Sequence, residues 1–191
     1  FTPKNYRTLE VKVGDSSVKF RAFEKIVYVA NPIEPDYQLI NIYIPEEYFA
    51  NQTINGYTKD TAPIFSPNAI GGYMPAKPMD LSDKKSPDGQ ISPSSVQMAL
   101  SRGYIVASIG ARGRTLQKDG VYTGKAPAAI VDLKAGIRYL KANDKQMFGD
   151  ANKIIVNGTS AGGAMTVLLG ATGNHPDHKI ELQKIGAIRA K

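Results

Sequence analysis

The sequence predicts an α/β protein: a mostly parallel sheet with helices on both faces and an antiparallel edge at its N-terminal end. Three observations carry this. The apolar runs 62–65, 104–109 and 154–156 alternate with helical patterns, the order of a parallel sheet built by crossover helices. Residues 9–29 instead alternate polar and apolar around a turn, which is antiparallel pairing. The third apolar run stops at Asn157-Gly158-Thr159-Ser160-Ala161-Gly162-Gly163, a serine flanked by glycines between a strand and a helix.

Taken in order, Leu9-Glu10-Val11-Lys12-Val13 turns at Gly14-Asp15-Ser16-Ser17 into Val18-Lys19-Phe20-Arg21-Ala22-Phe23, and Ile26-Val27-Tyr28-Val29 follows. Gln38-Leu39-Ile40-Asn41-Ile42-Tyr43-Ile44 is a further strand ended by Pro45. Ala62-Pro63-Ile64-Phe65 is a short buried strand leading into Gly71-Gly72. The Pro- and Ser-containing stretch 75–93 is an excursion over the surface. Ser94 or Ser95 caps a helix through 96–102 that Gly103 stops. After the near-continuous apolar strand 104–109, helical spacing runs from Ala126 to Leu140 with Pro127 in its first turn, and Asn143 and Asp144 end it. Residues 164–171 are apolar nearly all round, as in a buried helix.

At 191 residues, with 42% hydrophobic and 21% charged side chains, the chain has the makings of one domain with a proper core. No apolar run approaches bilayer length, and Phe1-Thr2-Pro3-Lys4 shows no signal-like apolar stretch, so no membrane partner is expected. The absence of cysteine excludes disulfide and thiol chemistry and leaves the compartment open. A net charge of +7 raises the question of nucleic acid, but the bases are not clustered or interleaved with aromatic residues. Lys84-Lys85 lies in a loop, Arg112 and Arg114 follow a strand, and the rest are scattered among acids. A solvated basic surface without a nucleic-acid partner is expected.

The chemistry concentrates at Ser160. A serine between strand end and helix start is lifted above a sheet only by a strained backbone, which leaves no room for side chains two positions either side. Gly158 and Gly162 give that room. The turn reads as a nucleophile elbow; a phosphate loop would need a lysine, and none stands between residues 158 and 165. The Gly71-Gly72 pair beyond an upstream strand is where exposed backbone N–H groups form half of an oxyanion hole.

These elements are the first half of an α/β-hydrolase, and the chain resembles the bacterial tannases and tannase-like esterases of that superfamily. The matching pieces are Thr61-Ala62-Pro63-Ile64-Phe65 with Pro67-Asn68, Gly71-Gly72-Tyr73-Met74-Pro75, Arg102-Gly103-Tyr104, Arg112-Gly113-Arg114-Thr115, Ala126-Pro127-Ala128 with Ile130-Val131-Asp132, and Gly149-Asp150-Ala151-Asn152 through Gly163. The likeness covers roughly residues 38–174. It implies a serine esterase for galloyl or related phenolic acid esters, with no metal or organic cofactor. It also implies Ser160 as nucleophile, with the backbone N–H of Ala161 and of Gly72 or Gly71 as the oxyanion hole.

The superfamily's chain order is Ser, then Asp or Glu, then His, whereas this chain runs only to Lys191. His175 and His178 follow a helix of about eleven residues, which puts them roughly 15 Å or more from Ser160. A general base needs a reach of about 3 Å, so both are expected at the surface or an interface. Asp132, Asp144 and Asp150 precede the serine; Asp132 reads as a helix-face residue and Asp150 as a turn former. Residues 1–191 are therefore expected to form an incomplete domain, completed by a C-terminal segment carrying further strands, the acid and the histidine. The alternatives are a general carboxylesterase or acyl-peptidase on the same sheet, or a non-catalytic binding module. The loop Ala69-Ile70-Gly71-Gly72 is not the His-Gly-Gly-Gly of hormone-sensitive-lipase-like esterases.

Overall fold

Along the strand Leu39–Pro45 the side chains of Ile40, Ile42 and Ile44 alternate with those of Asn41 and Tyr43, and both sets are buried. A strand buried on both faces belongs at the centre of a covered sheet. In the computed structural model, which describes residues 1–85, 87–89 and 91–188, that is its position. Lys191, the last residue of the chain, lies outside the described residues.

In chain order the strands are β1 (Arg7–Val13), β2 (Ser16–Val27), β3 (Leu39–Pro45), β4 (Pro63–Pro67), a ribbon of β5 (Lys84–Lys85) and β6 (Ile91–Ser92), β7 (Ile105–Ile109), a second ribbon of β8 (Gln117–Lys118) and β9 (Val121–Tyr122), and β10 (Asp150–Asn157). The helices are α1 (Ser95–Ser101), α2 (Ala128–Ala142), α3 (Ala161–Thr172) and α4 (Lys179–Lys184). The main sheet has the order β1-β2-β3-β7-β4-β10. Pairing is antiparallel from β1 through β3 to β7 and parallel from β7 through β4 to β10, so β2, β7, β4 and β10 all run one way. This is the mostly parallel sheet with an antiparallel edge that the sequence predicts.

Two corrections to the local reading have simple causes. The runs 18–23 and 26–29 are not separate strands: β2 is continuous to Val27 and absorbs residues 24–25 as a bulge. There Lys25 takes φ +55° and its N–H donates to Asn41 Oδ1 at 2.9 Å. Before the bulge, ordinary strand alternation gives Phe23 to one face and Val18, Phe20 and Ala22 to the other. The second correction concerns α3, expected to be buried: only Ala161 and Gly162 are, and Val167 is 72% exposed. One side of α3 packs on α2 and β10, and no described residue covers the other.

Each face of the sheet has its own core. On one, Val18, Phe20, Tyr43 and Val106 meet Val96, Ala99 and Leu100 of α1, which starts with a reciprocal capping box between Ser94 and Gln97. On the other, Ile40, Ile42, Ile64, Ile105 and Ile109 meet Val131, Ala135 and Tyr139 of α2 and Leu182 and Ile185 near α4. Burying one such isoleucine contributes about 1.5–3 kcal/mol. At β10 the cover thins: it is the sheet's edge strand, and Ile155 is 44% exposed.

The loops at the carboxyl ends of the strands are fastened by a buried ion pair. Asp132 on α2 is fully buried and accepts from Arg112 N at 2.8 Å, Arg112 Nε at 2.9 Å, Arg112 Nη2 at 2.9 Å and Gln38 Nε2 at 3.0 Å. Arg112 differs from its sequence reading, being no surface base, whereas Asp132, read as a helix-face residue, lies on the covered face of α2. Burial pushes the Asp132 carboxyl above its ordinary value, against the opposing pull of Arg112 and Gln38. Arg112 Nη1 reaches Thr123 O at 3.1 Å, and Gln38 Oε1 accepts from Glu34 N at 2.9 Å, so one carboxylate ties three loops together. Removing one partner leaves a buried charge uncompensated. Asp132→Ala is expected to lower unfolding free energy by about 3–5 kcal/mol in urea titration, and the double change Arg112→Met with Asp132→Leu to recover much of that.

Candidate active site

The register of β4 and β10 builds the site. Ile154 pairs with Ile64, Val156 with Ser66 and Asn157 with Pro67, so the two chains leave the sheet side by side, one into Asn68 and the other into Gly158. Ser160 then takes φ +56° and ψ −124° before α3 begins at Ala161. No non-glycine residue adopts that conformation without strain, of order 1–3 kcal/mol. The side chain is exposed, and its hydroxyl has no hydrogen-bond partner among the described residues.

The two flanking glycines are sterically required. A Cβ on Gly158 would collide first with the carbonyl of Gly162 and stand 2.7 Å from Asn68 Nδ2, and one on Gly162 would stand 2.6 Å from Asn68 Oδ1 and 2.8 Å from Ile70 O. What fills the vacated space is therefore the carbonyl of Gly162 beside Gly158, together with the Asn68 side chain and the start of the loop that leads to Gly71 and Gly72. Asn68 enters the sequence reading only as part of a matching block. Nothing in the sequence links positions 68, 158 and 162 until the strand register is known.

The loop itself is a tight turn. Met74 N donates to Gly71 O at 2.9 Å, and both central residues, Gly72 at φ +57° and Tyr73 at φ +58°, have positive φ. It is pinned from behind by the segment that Arg112 anchors: Arg114 N donates to Tyr73 O at 2.9 Å, and a Cβ on Gly113 would stand 2.6 Å from Met74 O. Among the described residues, the N–H groups of Gly71 and Gly72 donate to no protein acceptor. Ala161 N–H, at the first position of α3, has no partner within the helix. Free N–H groups at a helix start and on an adjacent loop are suited to receive negative charge.

The remaining candidates lie elsewhere. The 12 residues of α3, about 18 Å of helix, separate Ser160 from the histidines. His175 is exposed. His178, expected at the surface or an interface, is partly buried against an apolar cleft of about 400 Å³ whose walls include Tyr73, Arg114, Ile130, Met165 and Leu168. Burial, then the nearby Lys134 charge, lowers its pKa. Asp132 is occupied by Arg112, and Asp150 turns the chain into β10 by accepting from Asn152 N at 2.9 Å. No group of three or more His, Cys, Asp or Glu side chains among the described residues is placed to hold a metal ion. No described helix is long and apolar enough to cross a membrane.

A largely parallel sheet with α1 on one face and α2 and α3 on the other, and with a glycine-flanked serine between β10 and α3, defines an α/β-hydrolase. The BD-FAE family model matches residues 81–188. The chain is similar to the tannase of Fusobacterium nucleatum, at 55% identity over 99% of this chain and 39% of that one, with a TM-score of 0.93. It is similar also to a tannin acyl hydrolase solved in complex with ethyl gallate, at 39% identity over 99% of this chain and 41% of that one, TM-score 0.86. Esterase LipC of Mycobacterium tuberculosis is 43% identical over 56 residues, 29% of this chain and 14% of that protein. The chain belongs to the BD-FAE family, and its fold is that of an α/β-hydrolase. It spans about two fifths of the length of the tannases it matches.

The close approach at Gly162 has a direct test. Gly162→Val drives a branched side chain into Asn68 and Ile70, and is expected to destabilise by about 1–3 kcal/mol, read as a lowered melting temperature. Unchanged melting would mean that the 68–70 segment does not sit against the turn.

Proposed function

We propose that these residues supply the nucleophile half of a serine ester hydrolase acting on galloyl or related phenolic acid esters. The observation that carries the reading is the backbone of Ser160: a strained, exposed serine held between a strand end and a helix start, with unpaired N–H groups beside it. Ser160 Oγ attacks the ester carbonyl as its proton passes to a general base. The N–H groups of Ala161 and of Gly72 or Gly71 bind the oxyanion that forms. Collapse expels the alcohol, which takes up the proton, and leaves the acyl group on Ser160; water attacking with the same base then releases the acid and restores the serine.

The base, and the acid that orients it, come on this reading from a C-terminal segment outside residues 1–191. The support is that no described histidine or carboxylate partners Ser160, and that the edge of β10 stands open beside the exposed face of α3. An unpaired parallel edge next to apolar surface is a feature that proteins cover. Phenolic esters are favoured by the likeness to tannases, one of them solved with ethyl gallate. The match to esterase LipC favours a second reading, a general carboxylesterase.

In the full-length protein, methyl gallate should be cleaved faster than a straight-chain aliphatic ester of similar size, and Ser160→Ala should lower kcat by at least about 10⁴-fold while leaving the melting temperature intact or higher. Faster aliphatic cleavage selects the carboxylesterase reading, and a loss of only a few-fold removes Ser160 from the mechanism. Residues 1–191 expressed alone should show no turnover of methyl gallate; a folded, active monomer overturns the requirement for the second segment.

A further inference from the structure

We propose that Asn68 is a positioning residue for this reaction, its carboxamide holding the Gly71-Gly72 loop in register with Ser160. The inference rests on the reading of Ser160 as nucleophile. The side chain's polar atoms are all engaged. Nδ2 donates toward Asn157 O at 3.0 Å, Gly162 O at 3.3 Å and Thr166 Oγ1 at 3.2 Å. Oδ1 accepts from Ile70 N at 3.2 Å, and the backbone N–H of Asn68 also donates to Asn157 O, at 2.9 Å.

Asn157 and Gly162 flank Ser160 in the chain, one on the strand side and one on the helix side. Ile70 belongs to the loop that presents Gly71 and Gly72. One rigid planar group therefore ties both ends of the serine turn to the loop. No other described side chain hydrogen-bonds to the backbone of both segments. Thr166 supports it, since its hydroxyl donates to the same Gly162 O at 3.0 Å.

The chemistry asks for an amide. The two carbonyls need donors, and Ile70 N needs an acceptor. An ionised aspartate of the same shape would turn an oxygen toward Asn157 O and Gly162 O, whereas alanine would leave Ile70 N without a partner and a gap between the two glycines. Donors that stabilise a developing oxyanion must sit within a few tenths of an ångström of their working position, so loosening the loop weakens binding of the transition state more than that of the ester.

The test is steady-state kinetics of the full-length protein on methyl gallate and on p-nitrophenyl acetate, with melting temperatures recorded in parallel. Asn68→Ala is expected to keep KM within about 3-fold and to lower kcat by about 10–100-fold on both esters. Asn68→Asp should be comparably slow at a pH of about 8, with its rate relative to the unmodified protein recovering toward a pH of about 5 as the carboxyl, its pKa raised by the carbonyl oxygens it faces, gains a proton and becomes a donor. A purely structural residue would lower the melting temperature without separating kcat from KM and without that recovery. An unchanged kcat in Asn68→Ala overturns the proposal. Should that variant not fold, the isosteric Asn68→Asp carries the test alone, and a pH profile parallel to the unmodified protein overturns it equally. Ser160→Ala run alongside separates the two levels: retained turnover there sinks the nucleophile reading, while a dead Ser160→Ala beside a fully active Asn68→Ala sinks only the role of Asn68.

Discussion

A carboxylate taken out of water must be answered by donors, and the geometry of the site-bearing loops follows from how Asp132 is answered. Its donors come from Gln38, just before β3, and from the main chain and guanidinium of Arg112, just after β7. Those positions are fixed relative to α2 because every alternative leaves a buried charge bare. Gly113 and Arg114 come next in the chain and meet the Tyr73–Met74 turn directly. The orientation of Gly71 and Gly72 is thus set from 40 or more residues away in sequence, by an ion pair that itself touches neither glycine. Ser108 adds a second fastening, its hydroxyl donating to Pro67 O at 2.8 Å and accepting from Met79 N at 2.8 Å, which joins β7 to the end of β4 and to the start of the long excursion.

The parts of this architecture that depend on local pattern are legible in the sequence. The β-branched runs, the helical spacing of 126–140 and the glycine-flanked serine each state their conformation within a dozen residues, and the order of strands and helices follows. What is not legible depends on register. Asn68 meets Gly158 and Gly162 only because Pro67 is paired with Asn157, and no spacing rule connects residues 90 apart. Asp132 is an intermediate case. It falls among Ala128, Val131, Ala135 and Tyr139 on the covered stripe of α2, so its burial is implied by helical periodicity, but the identity of its partner is not. The outward face of α3 marks a different boundary: its composition says apolar, and composition alone does not say what lies against it.

Helix and sheet meet the site in complementary ways. The end of β10 delivers the serine turn at a fixed height above the sheet, and α3 directs the positive end of its peptide dipoles back toward the same point. Lys134 of α2 donates to Gly173 O just beyond the opposite end of that helix, placing a cation where the dipole is negative. Burial lowers the pKa of this lysine, with Arg138 contributing, which marks a partly desolvated amine held by its packing. Both ends of α3 are thus matched in charge, the far one by a neighbouring helix and the near one, on the proposed mechanism, by the oxyanion of the reaction itself.

On the proposed mechanism, the backbone of Ser160 sets stability and activity against each other. A positive φ with ψ near −124° suits glycine and strains serine. Ser160→Gly would relieve that strain and lose part of the gain to the greater entropy of an unfolded glycine, for a net stabilisation of about 1 kcal/mol. The most accessible stabilising change in this segment is therefore one that removes the hydroxyl proposed as nucleophile. A variant library ranked by thermal resistance alone would enrich loss of the serine, and only a screen coupled to turnover would keep it.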